Sequence, residues 1–379
     1  MGESKELREK KIREIVGEMS LDEKIELCYG ADFWHSRSVE RLGIPQVMMC
    51  DGPHGLRKQK GEADHMGINE SIETVCYPTA SVLAAGFDVG LLKELGEALG
   101  QECQAEDVGM LLGPGLNMKR SPLCGRNFEY FSEDPYLTGK LAAAYIGSLQ
   151  EQGVAACVKH FAANNQETHR MSGSSNLDER TLYETYLPAF EIAVKEGKPR
   201  SIMCAYNAIN GEFCSVNKEL LTDILRGKWG FEGFVVTDWG ATKDMVKGMQ
   251  AGLDLNMPGG YVQMLDAVKQ AAREGQLEQE TIDRMAERMV GFALDYQEKR
   301  KPETVADRTA YAGLSKKIAT QCGVLLKNEE NILPLAAETK AAFIGAFAEA
   351  PRYQGSGSSH INVKSVKGAL KMAEGLSVT

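Results

Sequence analysis

The stretch VAACVKH, residues 154–160, contains the pattern that decides the fold. It is a short apolar run without alternation, preceded by a helical pattern over residues 134–153 and closed by Lys159 and His160. A run of this length is typical of a strand that is buried on both faces of a parallel sheet. The segment therefore predicts a buried strand, with a helix before it and polar side chains at its end.

The same arrangement recurs along the chain. Further apolar runs that close at a polar residue or a turn lie at residues 44–51, 80–88, 109–117, 201–207, 233–239 and 251–258. Between them are helical patterns at 88–106, 177–197 and 260–275. Strands alternating with helices in six to seven units, over about 290 residues, predict an α/β fold with a (β/α)8-type, TIM-like barrel.

Polar residues stand where several of these runs end, for example Asp51, Tyr206 and Asp238. In such barrels the carboxyl ends of the strands carry the active site, so we expect these side chains to meet at one face. An alternative stays open for each acidic residue, because an Asp after a strand is often the N-cap of the next helix.

Composition excludes several classes of function. The chain of 379 residues has a formal net charge of −10, which argues against a nucleic-acid partner. No apolar run is long enough to span a bilayer, and no secretory signal is visible, so we expect neither membrane association nor secretion. The nine cysteines are scattered, which favours reduced, buried thiols in a cytoplasmic protein. No metal-binding spacing is present, and we expect no cofactor.

The domain organisation changes after the barrel. We expect the barrel over residues 1–298, a polar linker over 299–312, and the start of a second, α/β sandwich domain over 313–379. In this last part the pattern predicts helices at 314–328 and 363–374 and a strand at 341–348. One strand cannot close its own edges, so we expect the chain to end inside this domain, with the missing part on another polypeptide or removed. The sequence does not decide whether the chain forms a homo-oligomer.

Six segments together resemble glycoside hydrolase family 3, in its β-glucosidase branch. They are DGPHGLR (51–57), KRSPLCGRNFEYFSEDP (119–135), VKHFAANNQETHR (158–170), MCAYNAING (203–211), GFVVTDWGA (233–241) and VLLKNEENILPL (324–335). The resemblance implies a retaining β-glycosidase that acts on a β-glucoside or a short β-linked oligosaccharide. It also implies a site between the barrel and an α/β sandwich.

The resemblance also implies roles for residues. Asp238 is expected to be the nucleophile, and Asp51 to accept hydrogen bonds from sugar hydroxyls. The other residues expected to bind the sugar or to line its pocket are Arg120, Lys159, His160, Arg170, Tyr206, Trp239 and Ser358. Either Ser358 or its neighbour Ser359, both in the QGSGSS loop (354–359), is expected to reach into the site. A phosphate-binding role for this loop is disfavoured, because it has no G-K-[ST] and no complete G-x-G-x-x-G.

The chemistry of a retaining glycosidase tests these assignments. Such an enzyme needs two carboxyl groups about 5–5.5 Å apart, one ionised and one protonated. Asp238 fits the ionised one if neighbouring strand ends offer cations that keep its pKa low. The alternatives are an N-cap role for Asp238, an outward Lys159 with a core His160, and a Trp239 that packs instead of stacking on a sugar. Both Lys159 and His160 reach one pocket only if their strand ends or distorts there.

The acid/base carboxyl of the family's β-glucosidases is a Glu in a pattern like E-x-E-G-x-D-R, and the sequence does not contain it. The nearest text, EGQLEQETIDR (274–284), falls in an expected helix, and the surroundings of Glu349 do not match. We therefore expect this chain alone to be inactive or very slow on ordinary glycosides. Two other readings stay open, namely another enzyme on the same barrel and a non-catalytic carbohydrate-binding chain.

Overall fold

The computed structural model describes residues 5–61, 63–64, 68–336 and 339–374. Its eight short strands are β1 Met49–Asp51, β2 Met110–Leu112, β3 Ala155–Phe161, β4 Ser174–Ser175, β5 Ser201–Cys204, β6 Ala208–Ile209, β7 Glu212–Phe213 and β8 Phe234–Thr237. Five of them form one sheet in the order β1-β2-β3-β5-β8, and every neighbouring pair is parallel. The strands β4, β6 and β7 form a small second sheet.

The sheet continues beyond β8 through single bridges. Val236 pairs with Leu255 and Asn256 pairs with Tyr29, in both cases in parallel. The segment around Leu255 therefore takes the place of a further strand without forming a regular ladder. This curved parallel sheet with helices packed around it confirms the predicted α/β, TIM-like barrel.

Helices surround the sheet. The α-helices are α1 Lys5–Gly17, α2 Leu21–Glu26, α3 Ala80–Ala85, α4 Val89–Ala105, α5 Pro135–Glu151, α6 Glu179–Thr181, α7 Pro188–Ile192, α8 Met245–Ala251, α9 Val262–Arg273, α10 Gln279–Lys299, α11 Arg308–Gln321 and α12 Ala369–Ala373. Three π-helical segments, Leu182–Tyr186, Ala193–Gly197 and Glu219–Lys228, complete the outer layer. In the described part of the chain, no helix is both long and apolar enough to cross a membrane.

Caps and a close contact at a glycine fix two neighbouring helices of the outer layer. Asp88 caps α4 by accepting from the backbone N–H of Gly90, and Asp134 caps α5 in the same way at Tyr136. The two helices cross at Gly96, where an added Cβ would lie 2.6 Å from the carbonyl oxygen of Tyr145. Only glycine permits this approach.

Two of the predicted strands are not regular strands. Residues 80–85 form the helix α3, because their buried residues, Ala80, Leu83 and Ala84, recur at helical spacing. The run at 251–258 stays irregular and joins the sheet through the bridges described above. An apolar run of this length does not by itself distinguish a strand from a buried helix.

The region after the barrel also differs from the prediction. The helix α11 begins at Arg308, earlier than predicted, and ends at Gln321. The predicted strand at 341–348 is wrong, since residues 341–347 are exposed and the segment forms only a 3₁₀ turn at Ala346–Ala348. The last predicted helix is reduced to α12. A strand needs a neighbour to complete its hydrogen bonds, and the described residues provide none here.

Candidate active site

The predicted polar residues lie at the carboxyl ends of neighbouring strands. Asp51 is the last residue of β1, and Lys159 and His160 lie near the end of β3. Tyr206 follows β5 by two residues, and Asp238 follows β8 directly. Because the five strands are parallel, these ends fall on one face of the sheet.

Asp51 and Lys159 form a buried ion pair. The Nζ of Lys159 donates to Oδ1 of Asp51 over 3.1 Å, and their side chains are only 2% and 8% exposed, respectively. Burial alone would lower the pKa of Lys159, but the charges of Asp51 and Glu129 more than offset this effect, so the net shift of the pKa is upward. Lys159 is therefore a permanent cation that holds Asp51 in place.

Asp238 is buried and only partly bonded. Its Oδ1 accepts from the backbone N–H of Trp239 over 2.8 Å. Its Oδ2 is buried and accepts no hydrogen bond from any described residue, although Nε2 of His160 lies 3.6 Å away. The N-cap alternative is wrong, because Asp244 caps the helix α8 that follows. One carboxylate oxygen is thus left for a ligand.

The pKa of Asp238 departs from the expectation. Burial raises it above its ordinary value, and Arg126, Lys159, the N–H of Trp239 and Arg170 lower it only in part. The predicted cations are therefore present, but the desolvation of the buried carboxylate outweighs them.

His160 is held as a neutral ring. Burial first, and then the charges of Arg126 and Lys159, lower its pKa well below the ordinary value. Nη2 of Arg126 lies 2.8 Å from Nε2, and the hydroxyl of Tyr130 lies 2.9 Å from Nδ1. A guanidinium only donates, so Nε2 accepts and Nδ1–H donates to Tyr130. Asn117 fixes the backbone of His160 by bonding both its N–H and its carbonyl oxygen.

The strand distortion that the sequence required is present. The pairing of β3 with β5 shifts register between Val158 and Phe161, which brackets Lys159 and His160. Both side chains consequently reach the site instead of pointing to opposite faces. The alternative with an outward Lys159 is wrong, since its side chain is buried against Asp51.

An arginine that the sequence analysis did not single out occupies the centre of the site. Arg126, in GRNFEYF (125–131), contacts His160 and forms an ion pair with the buried Glu129. Burial opposes its charge, but Glu129, Tyr130 and Asp238 raise its pKa well above the ordinary value. The signal was present in the second of the six family-like segments.

Arg120 is directed elsewhere. Its Nη1 donates to the hydroxyl of Tyr186, and its guanidinium carbon lies 5.9 Å from the centre of that ring. No described contact joins Arg120 to Asp238 or His160. Arg126 lies beside these two residues instead, because the 3₁₀ turn at Asn127–Glu129 brings that part of the segment to the strand ends. The sugar-binding role expected for Arg120 stays a prediction.

Arg170, Tyr206 and Trp239 form one wall. The guanidinium of Arg170 lies 4.6 Å from the centre of the Tyr206 ring, and Glu167 holds it by an ion pair of 2.8 Å. The Tyr206 hydroxyl donates to the carbonyl oxygen of Trp239 over 2.7 Å, and the indole N–H of Trp239 donates to the carbonyl oxygen of Phe33 over 2.8 Å. These bonds fix the aromatic rings before any ligand binds.

A cavity of about 550 Å³ opens beside this wall. It is lined by Arg126, Glu129, Arg170, Tyr206 and, from the other side, residues 354–359 with Ser358. The loop is seated against the barrel at Gly355, where an added Cβ would lie 2.3 Å from the ring of Phe128. The volume is within the range of small-ligand sites. Among the described residues no group of three or more His, Cys, Asp or Glu is placed to hold a metal ion.

Comparisons with known proteins agree with this geometry. The model of the glycosyl hydrolase family 3 N-terminal domain matches residues 18–291. A thermostable β-glucosidase B from Acetivibrio thermocellus is 52% identical over 350 residues, which are 92% of this chain and 46% of that protein. An exo-α-(1→6)-L-arabinopyranosidase from Bifidobacterium longum is 43% identical over 91% of this chain and 47% of its own length.

A solved structure gives the same result. The complex of β-glucosidase 3B from Thermotoga neapolitana with glucose superimposes with a TM-score of 0.91 at 36% identity, over 97% of this chain and 55% of that one. The chain therefore spans about half the length of the relatives that it matches.

Proposed function

Because the chain belongs to glycoside hydrolase family 3, we propose that it acts as a retaining β-glycosidase of the β-glucosidase type, with Asp238 as the nucleophile. The observation that carries this proposal is Oδ2 of Asp238, a buried carboxylate oxygen without a hydrogen bond to a described residue. It lies among Arg126, Lys159 and His160.

The reaction divides into two steps at this carboxylate. In the first, Oδ2 of Asp238 forms a bond to C1 of the terminal glucosyl residue while the bond from C1 to the leaving oxygen breaks. In the second, water attacks C1 and loses a proton to the solvent, the bond from C1 to Oδ2 breaks and Asp238 is released as a carboxylate, so the configuration at C1 is retained. Asp51, held by Lys159, would accept hydrogen bonds from two neighbouring sugar hydroxyls. Neutral His160 and the cation of Arg126 lie beside the reacting oxygen.

We further propose that the carboxyl group that protonates the leaving oxygen is absent from this sequence. The E-x-E-G-x-D-R pattern is missing. Glu129, the carboxylate that lines the cavity, is unsuited to the role. Burial would raise its pKa, but Arg126 and Lys159 lower it below the ordinary value and keep it ionised. The acid would belong to sequence that corresponds to the other half of the longer relatives.

Trapping with an activated fluoroglycoside tests the nucleophile. The chain is incubated with 2,4-dinitrophenyl 2-deoxy-2-fluoro-β-D-glucopyranoside, whose leaving group departs without protonation. Intact mass and peptide mapping are expected to show one fluoroglucosyl group on Asp238. The variant D238N should take no label, while D244N, altered at the helix cap nearby, should label as the wild type does. Label on Glu129 or on another carboxylate would refute the assignment.

Turnover measurements test the missing acid. We expect the chain to cleave an activated aryl β-glucoside far faster than cellobiose. The glucose unit that leaves from cellobiose must be protonated as it departs, whereas an activated phenol leaves as a stable anion. Turnover of cellobiose at an ordinary enzymatic rate would show that an acid is present after all. An activated α-L-arabinopyranoside is included, because one relative is named for that sugar. Glucose binding without any trapping would favour a non-catalytic carbohydrate-binding chain.

A further inference from the structure

A second cavity, of about 600 Å³, lies at the opposite end of the barrel. Gly109, Val154, Arg200 and Gly233 line it, and each of them stands at or just before the first residue of β2, β3, β5 or β8. The candidate active site lies at the carboxyl ends of the same strands, so the sheet separates the two cavities.

The inner wall of this cavity is apolar. Val154 and Phe292 are 1% exposed, Phe231 is 6% and Trp229 is 7% exposed, and all four contribute to the lining. Apolar and aromatic walls with a few polar groups are typical of small-molecule sites.

The charged groups around the cavity are mainly cationic. Five cations, Lys5, Lys195, Lys198, Arg200 and Lys299, face two anions, Glu232 and Asp295. The whole chain carries a net charge of −10, so this concentration of positive charge runs against the overall composition. A locally positive cleft concentrates anions.

Not all of this positive charge is neutralised. Nε of Arg200 lies 3.0 Å from Oδ2 of Asp295, but Arg8 binds the other oxygen of the same carboxylate over 2.5 Å. Nη1 of Arg8 also lies 2.5 Å from Oε2 of Glu298, so the two guanidinium groups face two carboxylates. Lys5 is paired with Glu232 and Lys195 with Glu191, and the unpaired charge is that of two lysines. Burial, and then the charge of Arg8, lower the pKa of Arg200, while Asp295 and Glu232 oppose this shift. Lys198 and Lys299 form no ion pair with a described residue.

We propose that this cavity binds a small organic anion, with a phosphate or carboxylate group at Arg200, Lys198 and Lys299 and its apolar part against Trp229 and Phe292. A guanidinium binds such oxyanions through two parallel hydrogen bonds, and ammonium groups add charge without fixing geometry. Phosphate and carboxylate share this chemistry, so the choice between them is left to the measurement.

Isothermal titration with pyrophosphate and with citrate tests the site, since each probe carries one of the two groups. We expect at least one of them to bind saturably, at one site per chain, with a Kd below about 1 mM. Arg200→Met removes the guanidinium and leaves Asp295 paired with Arg8. It should weaken binding about tenfold to a hundredfold, because a charge-assisted hydrogen bond is lost.

A second variant does not depend on a buried position. Lys198→Asn and Lys299→Gln are combined, because both lysines are exposed and Asn accepts the left-handed backbone of residue 198, whose φ is 50°. Binding should again weaken, while Lys247→Gln, at an exposed lysine of α8, should bind as the wild type does. No saturable binding of either probe, or equal affinities of the double variant and Lys247→Gln, would overturn the proposal.

Discussion

Glu102 makes the stability of the chain dependent on pH. This glutamate lies in α4, is 2% exposed, and has one oxygen without a hydrogen bond to a described residue. The Tyr77 hydroxyl lies 3.5 Å from Oε2, its other carboxylate oxygen. Burial raises its pKa to about 7, against the lowering effects of the Val75 N–H, Arg308 and Tyr77, and Glu106 adds to the rise. The perturbation that we consider is Glu102→Gln.

The size of the effect follows from proton linkage. In the unfolded chain the group titrates near its ordinary value of 4.5, and in the folded chain near 7. Between these values the folded state keeps a proton that the unfolded state has released, so the free energy of unfolding falls as the pH rises. The shift corresponds to about 3 kcal/mol, all of which is lost above the folded pKa. Glutamine cannot ionise, so Glu102→Gln should lack this decline.

Urea unfolding at pH 5 and at pH 8 measures the effect. The difference in unfolding free energy between Glu102→Gln and the wild type is expected to grow in favour of the variant by about 2–3 kcal/mol from the lower to the higher pH. Glu97→Gln, at an exposed position of the same helix, serves as the matched control and should follow the wild type at both values. A pH dependence that is the same in all three proteins would refute the reasoning.

Three further predictions concern the candidate active site. Asp51→Asn leaves Lys159 buried without its carboxylate, and should weaken glucose binding about tenfold or more in calorimetry; unchanged affinity would contradict the role of Asp51. Arg126→Met leaves Glu129 unpaired and should lower the unfolding free energy by about 3–5 kcal/mol, and adding Glu129→Met should recover part of it; strictly additive losses would contradict the pairing. Because the pKa of Asp238 is raised, the acid limb of its labelling rate should lie above pH 3.8, and a limb at or below that value would contradict the direction.

The sequence was sufficient to predict which residues stand at the strand ends. Apolar runs without alternation indicate parallel strands buried on both faces, and the residue that closes such a run stands at the carboxyl edge. Asp51 and Asp238 were placed in this way, and the structure puts both there. The same rule could not place Arg126, because a loop has no periodicity that shows where each side chain points.

The sequence pattern failed where tertiary context decides between structures. Residues 80–85 are apolar enough for a strand, but they pack on one side only and form a helix. Residues 341–348 have strand composition, but a strand becomes stable only beside a partner, and the described residues offer none. Their exposed apolar side chains, including Ile344 at 90% exposure, show that composition alone does not fix the structure.

The electrostatic arrangement of the site separates Asp51, Glu129 and Asp238 into different roles. Asp51 and Glu129 each contact a cation directly, and breaking either pair would leave a buried charge uncompensated. Asp238 receives the field of the same cations from a distance and keeps one oxygen free. A carboxylate already held in a short ion pair is a poor nucleophile, because its lone pairs are engaged. The two ion pairs therefore concentrate positive charge at the strand ends and leave Oδ2 of Asp238 without a hydrogen bond to a described residue, as its proposed role as the nucleophile requires.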